Sequence, residues 1–519
     1  MDSFLIKFHP VVFLNNFLFS ECLQSGKFTA KEVLRTYQEN AINAHHKTNC
    51  IESEKWAEEL DKKAEDENYQ KPPLFGIPVS VKESIQVKGY PQTQGFANEL
   101  KNIADDDSIF VQQIKELGGI PFVLTNIPQS MLSFSCVNPI YGTTTNPYAS
   151  TKTCGGSTGG EAALISLGGS IIGMGTDVGG SIRYPCHFCG IAGLKPSHLR
   201  LSHQGIVSSI PGRTLINSSS GPMAKCATDL VTFLRIIWSG KWIWHHDPYT
   251  VPIDWDEKQF NDKIYLLFFP FTCYYYDDGW FKPTPALQRA VYDTISILEG
   301  CGHTMVKFEP PNIPEAFKCF IGAMLTDGGK YLLDRFNKDL IGEGFEMMVY
   351  YFRIPGILKR VLGKLLTPFY PRIGQFLCSL PLDTSELRQT YGNIEAYREL
   401  YIKRMQELRI DALVCPVQVL PAVEHHIAIQ LTPTTSYCGI FNLLDFAAGT
   451  VHITKVNEDD EKELDAYPEN DVWYKTVKQA TKGSIGLPVG VQIAVPPYYE
   501  ETALRIMCDI EQHSRMSNL

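Results

Sequence analysis

The chain has 519 residues, of which 44 % are hydrophobic and 20 % charged, and a formal net charge of −10. That composition supports a large folded core and excludes a disordered chain. The acidic balance, with no basic cluster to offset it, argues against a nucleic-acid partner.

Phe4–Phe19 is apolar but interrupted by Lys7, His9, Pro10, Asn15 and Asn16. Its longest clean run, Val11–Leu14, falls far short of the ~20 residues a bilayer span needs. It has no small-residue cleavage site. Residues 1–27 therefore read as an apolar segment that is neither transmembrane nor a secretion signal. Thr29 and Glu32 make a capping-box pattern, which predicts a helix from there to about Asn43. Phe75–Val81 reads as a strand that delivers Lys82. Asp107–Leu117 has helical spacing, Ile120–Leu124 reads as a short buried strand and Thr125–Ser133 as a loop.

A glycine-rich run, Gly155–Lys195, follows. The Gly155–Gly160 loop leads into a helix over Glu161–Leu167, a strand over Ser170–Gly175 and a turn over Thr176–Ser181. This alternation predicts an α/β body. Lys241–Lys263 reads as a long surface connection and Thr284–Glu299 as an amphipathic helix. Asp411–Pro416 and Ser484–Val495 read as buried strands, the second interrupted by Pro488 and Gly490. No repeat or composition shift divides the chain. One large domain over about 28–510 is expected, with 511–519 as a tail.

The chemistry is concentrated in three residues. Ser157 and Ser181 are each flanked by glycines and lie 24 residues apart. Glycine lets the backbone approach a ligand closely. Two glycines before Ser181 present consecutive N–H groups, which suits an oxyanion hole. Lys82 sits among apolar residues, where a lysine loses its proton readily and can act as a base. Asp177 and Arg183 flank the Ser181 turn with opposite charges suited to fixing it. A phosphate cradle is disfavoured, because no Lys-Ser/Thr pair follows the glycines. A GxSxG elbow is absent, and the histidines, including His245–His246 and His425–His426, have no recognisable partner. Cys186 and Cys189 resemble half a zinc knuckle or a redox pair, but no second pair follows; the 14 cysteines are scattered and read as reduced thiols. From these residues alone, a serine–lysine hydrolase and a plain structural glycine loop both stand.

GIPVSVKES, GGSTGGEAA, GTDVGGSIRYP and GLKPS resemble the motifs of the amidase signature family, in a resemblance that runs from about Leu23 to Ile510. KTNC (47–50), PFVLTNIPQSMLSFSC (121–136), YGTTTNP (141–147) and SIGLPVGVQ (484–492) are similar to its animal fatty-acid amide hydrolase branch, of the first type. The resemblance implies a single amidase-signature domain with a central twisted mixed β-sheet surrounded by helices. It implies Lys82 as base, Ser157 as bridging serine after a cis peptide bond, and Ser181 as nucleophile. Val178, Gly179, Gly180 and the N–H of Ser181 correspond to the oxyanion hole, and the backbone at Met131 to a position touching the acyl carbonyl region. Met131, Ser157, Val178, Gly179, Gly180 and Ser181 are thus the expected substrate contacts; no metal or cofactor is implied. Thr158 departs from the family's usual second serine but keeps the hydroxyl.

In Ile357–Leu366 six apolar positions fall on one half-turn, with Lys359, Arg360 and Lys364 on the other. This fits a basic amphipathic helix at a membrane surface, or an ordinary helix packed on the core with its basic face in solvent. The resemblance favours the first, because residues 343–380 correspond to a two-helix cap that dips into one leaflet. It implies a membrane-associated homodimer, monotopic or peripheral, on the cytosol-facing surface of endomembranes, foremost the endoplasmic reticulum. The expected reaction cleaves primary fatty amides and N-acylethanolamines such as anandamide to fatty acid and amine. The alternatives are an amidase or acyltransferase for smaller, less lipidic amides, and a catalytically silent binding protein on the same fold.

Overall fold

A computed structural model describes residues 22–48, 62–63, 65–66, 69–261 and 271–517. The Phe4–Phe19 segment lies outside the described residues. Ten strands form one mixed sheet: β1 (Pro78–Lys82), β2 (Ile120–Thr125), β5 (Ile172–Asp177), β6 (Ala192–Lys195), β7 (Ser219–Ala224), β8 (Phe271–Tyr274), β9 (Thr304–Lys307), β10 (Ile410–Pro416), β11 (Ala447–Lys455) and β12 (Pro488–Val495). The short β3 (Val137–Asn138) and β4 (Gly142–Thr143) pair only with each other. The order across the large sheet is β2-β1-β5-β7-β6-β11-β12-β10-β8-β9. Both ends, β2-β1-β5 and β10-β8-β9, are parallel, and the centre is antiparallel. Strands β1, β5, β7, β10 and β12 are buried along their whole length, so both faces of the sheet are covered in their region. That is why they read as runs of small and apolar residues rather than as alternating patterns.

The capping box is present: Thr29 N–H donates to Glu32 Oε2 at 3.0 Å, and Glu32 N–H to Thr29 Oγ1 at 3.1 Å. Its helix, Ala30–Thr48, continues past Asn43 because no glycine or proline interrupts it. The sheet also shifts one predicted element by two residues, from Ser170–Gly175 to Ile172–Asp177. β5 runs on through Thr176 and Asp177, residues predicted to turn, because β7 pairs with them at Ser220 and Ser219. This partner is distant in sequence and invisible to local patterning. The last strand starts only at Pro488; Ser484–Leu487 is a turn closed by Leu487 N–H on Ser484 O at 3.0 Å. A proline is tolerated at a strand's first residue. The 241–263 connection carries two short helices, Trp242–His246 and Glu257–Asn261, with Trp255 stacked on Trp238. Among the described residues no helix is long and apolar enough to cross a membrane.

Candidate active site

Lys82 ends β1, between β2 and β5, and is fully buried. Its Nζ lies 2.7 Å from Ser157 Oγ and 2.8 Å from Thr176 Oγ1 on β5. Burial pushes its pKa down to about 7, against the opposing pull of Asp177, Cys136, Glu83 and Glu161. A lysine in this state is available as a neutral amine near neutral pH. Below it, Glu161 accepts hydrogen bonds from Ser80 and Thr125, and burial pushes its pKa up to about 8.

Ser157 comes from the loop before the Gly159–Ser166 helix, and the Gly156–Ser157 peptide is cis. Gly155 is required there: its φ is +89°, and a Cβ would stand 2.6 Å from Pro185 Cα. The loop is tied to the next serine by Thr158 N–H, which donates to Ser181 O at 3.1 Å. The extra methyl of Thr158 rests against Gly175, where a Cβ would meet it at 2.7 Å. A glycine on β5 thus makes room for the threonine.

Ser181 lies on the turn after β5. Gly180 has φ +118°, and a Cβ there would strike the Tyr184 ring at 2.3 Å. Asp177 organises this turn from within, accepting from Gly180 N–H at 2.8 Å and Ile182 N–H at 3.0 Å. The Gly180 N–H, expected among the donors to a substrate oxyanion, is therefore committed to Asp177. Among the described residues nothing accepts the N–H groups of Gly179 or Ser181. Arg183 grips Asp177 through Nε at 3.0 Å and Nη2 at 2.9 Å, and also reaches Cys438 O, Gln492 and Asn442. Burial alone would raise the Asp177 pKa, but the Arg183 charge and hydrogen bonds hold it well below the carboxylate range. Both members of the pair are fully buried. Arg183→Ala should therefore cost about 3–5 kcal/mol, read as a fall in urea midpoint, because it strands a buried carboxylate. An unchanged midpoint would contradict this account of the turn.

Ser181, Gly156, Val178, Gly179 and Met131 share one cavity. Met131 is held in the left-handed region at φ +55°. Away from the serines the wall is apolar and aromatic: Phe320 and Met324 from the Ile313–Met324 helix, Met348, Tyr351 and Phe352 from Glu346–Arg353, and Phe376 from Pro371–Leu377. The opposite side of the 346–353 helix exposes Met347 and Tyr350.

The adjoining Gly356–Leu366 helix is turned inside out relative to an ordinary surface helix. Ile357 is 72 % exposed and Leu365 65 %, while Lys359 is 2 % exposed. The expectation that Lys359, Arg360 and Lys364 together face outward is corrected for the first two. The Lys359 ammonium lies 4.3 Å from the Tyr351 ring centre, and burial pushes its pKa down to about 8. Arg360 makes a two-pronged pair with Glu386 at 3.0 and 2.8 Å and donates to Leu380 O. Close packing on the 371–377 helix comes from facing glycines: a Cβ on Gly363 would stand 3.0 Å from Gly374 O. Of the three cations Lys364 alone remains exposed. A helix packed on the core by its apolar face is excluded.

Sequence reasoning missed Thr176, the second partner of Lys82, and Asn442, which braces Asp177. Thr176 was visible only as a hydroxyl beside Asp177. Cys186 and Cys189 are buried with Cys136 and Cys154 in a small apolar cluster. Among the described residues no group of three or more histidine, cysteine or acidic side chains is placed to hold a metal.

A large mixed sheet, a lysine buried against one serine and a second serine on a glycine turn are what an amide-hydrolysing enzyme of this architecture requires, and residues 32–504 match the Amidase family model. The chain belongs to the amidase signature family. It is 47 % identical over 496 residues to fatty acid amide hydrolase 1 of Caenorhabditis elegans, covering 94 % of this chain and 86 % of that protein. It is 38 % identical over 498 residues to fatty-acid amide hydrolase 1 of Sus scrofa, covering 94 % and 84 %. A solved fatty acid amide hydrolase shares the fold with a TM-score of 0.78 at 24 % identity, over 96 % of this chain and 85 % of that one.

Proposed function

We propose that this enzyme hydrolyses long-chain fatty amides, including primary amides and N-acylethanolamines, at a membrane surface. The observation that carries this reading is the apolar cavity running from Ser181 to helices whose outer faces expose large apolar side chains. An acyl chain fits the chemistry of that wall, and the exposed faces fit a lipid surface.

Ser181 acts as nucleophile. Neutral Lys82 draws the Ser157 proton, and Ser157 that of Ser181, as Ser181 Oγ attacks the amide carbon. The N–H groups of Gly179 and Ser181 receive the charge that develops on the carbonyl oxygen. The relay then runs backwards and protonates the amine, which an amide needs because its nitrogen leaves poorly as an anion. Water attacks the acyl-enzyme and releases the fatty acid. Homodimer formation and attachment to the cytosol-facing side of endomembranes belong to the same proposal. They rest on the motif resemblance alone.

The test is hydrolysis of amides from acetamide to oleamide, with and without vesicles. Activity is expected to rise with chain length. Equal activity on acetamide and oleamide would favour the smaller-amide alternative. Replacing Ile357, Leu358, Val361, Leu362 and Leu365 with serine should weaken vesicle binding at least about tenfold. Folding should change little, since these side chains are exposed. Unchanged vesicle binding in the folded variant would move attachment elsewhere.

A further inference from the structure

Glu161 stands four residues after Ser157, in the Gly159–Ser166 helix, and is fully buried. Its Oε1 lies 2.8 Å from Thr125 Oγ1 and its Oε2 2.5 Å from Ser80 Oγ. Ser80 is two residues before Lys82 on β1, and Thr125 is the β2 residue paired with Lys82. One carboxyl group therefore joins the helix that follows Ser157 to the strand that carries Lys82 and to that strand's neighbour. β5 makes room for it: a Cβ on Gly173 would collide with the Glu161 carboxyl and stand 2.7 Å from Ser80 Oγ.

The contacts of this cluster fix where its hydrogens lie. Ser80 Oγ is 2.8 Å from Ser170 Oγ, and Ser170 Oγ is 3.0 Å from Ile172 O. With the Glu161–Ser80 contact these make a chain of three oxygen–oxygen contacts, and each needs one hydrogen. The two serines supply two, and the Ile172 carbonyl at the end can only accept. The third hydrogen belongs to Glu161. Taken alone, the Ser80–Glu161 contact has the hydroxyl donating. Taken with the whole chain, the carboxyl donates to Ser80, Ser80 to Ser170 and Ser170 to Ile172 O, while Thr125 donates to the other carboxyl oxygen. Burial acts in the same direction, pushing the Glu161 pKa up to about 8 against the hydrogen bonds of Ser80 and Thr125 and the Lys82 charge. The other acids that act on Lys82 have partners of their own: Arg183 holds Asp177, and the N–H groups of Thr93 and Gln94 hold Glu83. Cys136 acts on it as well.

We propose that Glu161 is a positioning residue of the proton relay, a neutral carboxylic acid that locks the Lys82 strand to the Ser157 helix without setting a negative charge beneath the base. This rests on the amidase reading above and deepens its mechanism. A carboxylate in the same place would hold the proton on Lys82 and take the base away, whereas an acid keeps the geometry and leaves the amine free. Glutamine has the acid's shape and its order of donor and acceptor, with Nε2 facing Ser80 and Oε1 facing Thr125.

The experiment compares the wild type with Glu161→Gln and Glu161→Ala, by kinetics on oleamide and a matched oleate ester and by infrared difference spectroscopy at pH 7. The wild type minus Glu161→Gln should show the carbonyl stretch of a protonated acid. Glu161→Gln should keep kcat within about threefold, with the rising pH limb near 7 in place. Glu161→Ala should lower kcat on oleamide by about a hundredfold at unchanged KM, and lower it less on the ester. Equal losses on amide and ester would reduce Glu161 to a structural part of the fold and overturn the proposal. So would carboxylate bands in the difference spectrum, or a glutamine variant as slow as the alanine one. Should Glu161→Ala fail to fold, Thr125→Val removes one hydrogen bond at nearly constant volume and should show the same excess loss on the amide; equal losses there overturn the proposal too. Carboxylate bands in an active wild type remove this proposal and leave the amidase reading intact. A wild type that neither hydrolyses amides nor takes a fluorophosphonate label at Ser181 removes the amidase reading, and the relay role with it, whatever the infrared band.

Discussion

Ser181→Ala is expected to lower amide hydrolysis by at least about a thousandfold while leaving the circular dichroism spectrum and melting temperature near wild type. The side chain lies on the cavity wall and is only partly buried, so removing one oxygen empties little packed space. The turn itself is held by Asp177 and Arg183, which the substitution does not touch. A fluorophosphonate probe should label the wild type and not the variant. Amidase activity above a trace in a clean preparation would assign the nucleophile elsewhere.

Lys82→Ala is expected to cut activity nearly as deeply, and to do so unequally between substrates. Amides should lose more than matched esters, because only the amine must be protonated as it leaves. The wild-type rate should rise with pH through about 7, where burial places the Lys82 pKa, and that limb should vanish in the variant. Equal losses on amide and ester would contradict the relay through Ser157. The same shift has a stability consequence of the opposite sign. In the unfolded chain Lys82 regains its ordinary pKa of 10.5, against about 7 when folded. Between these values the unfolded state binds more protons, so Lys82 destabilises the fold most below about pH 7, and stability rises with pH across that window. Lys82→Met should therefore melt higher than wild type near neutral pH even though it is inactive.

What was legible in the sequence was local. The glycine loops, the strand into Lys82 and the two serines are contiguous motifs, and the turn chemistry around them follows from residue type. What was illegible depended on which elements became neighbours. Thr176 meets Lys82 because β1 and β5 are adjacent in the sheet, although their residues are far apart in the chain. The commitment of the Gly180 N–H follows from Asp177 folding back over its own turn. The helical wheel of 357–366 separated the apolar residues from Lys359 and Arg360, placed Lys364 with the wrong group, and carried no information on which face turns inward. Tyr351, Glu386 and Gly374 decide that, and all three belong to other segments.

On the proposed reading, in which the outward apolar face of the Gly356–Leu366 helix rests on a lipid surface and the substrate is a long-chain amide, concentration takes on another meaning for this enzyme. A long-chain amide dissolves in lipid far more readily than in water. With that face seated on a bilayer, the cavity samples a two-dimensional pool rather than the surrounding solution. The quantity that sets the rate is then the number of amide molecules per lipid, not per litre. Inert phospholipid becomes a diluent, and an affinity measured in bulk units describes the membrane's composition as much as the protein.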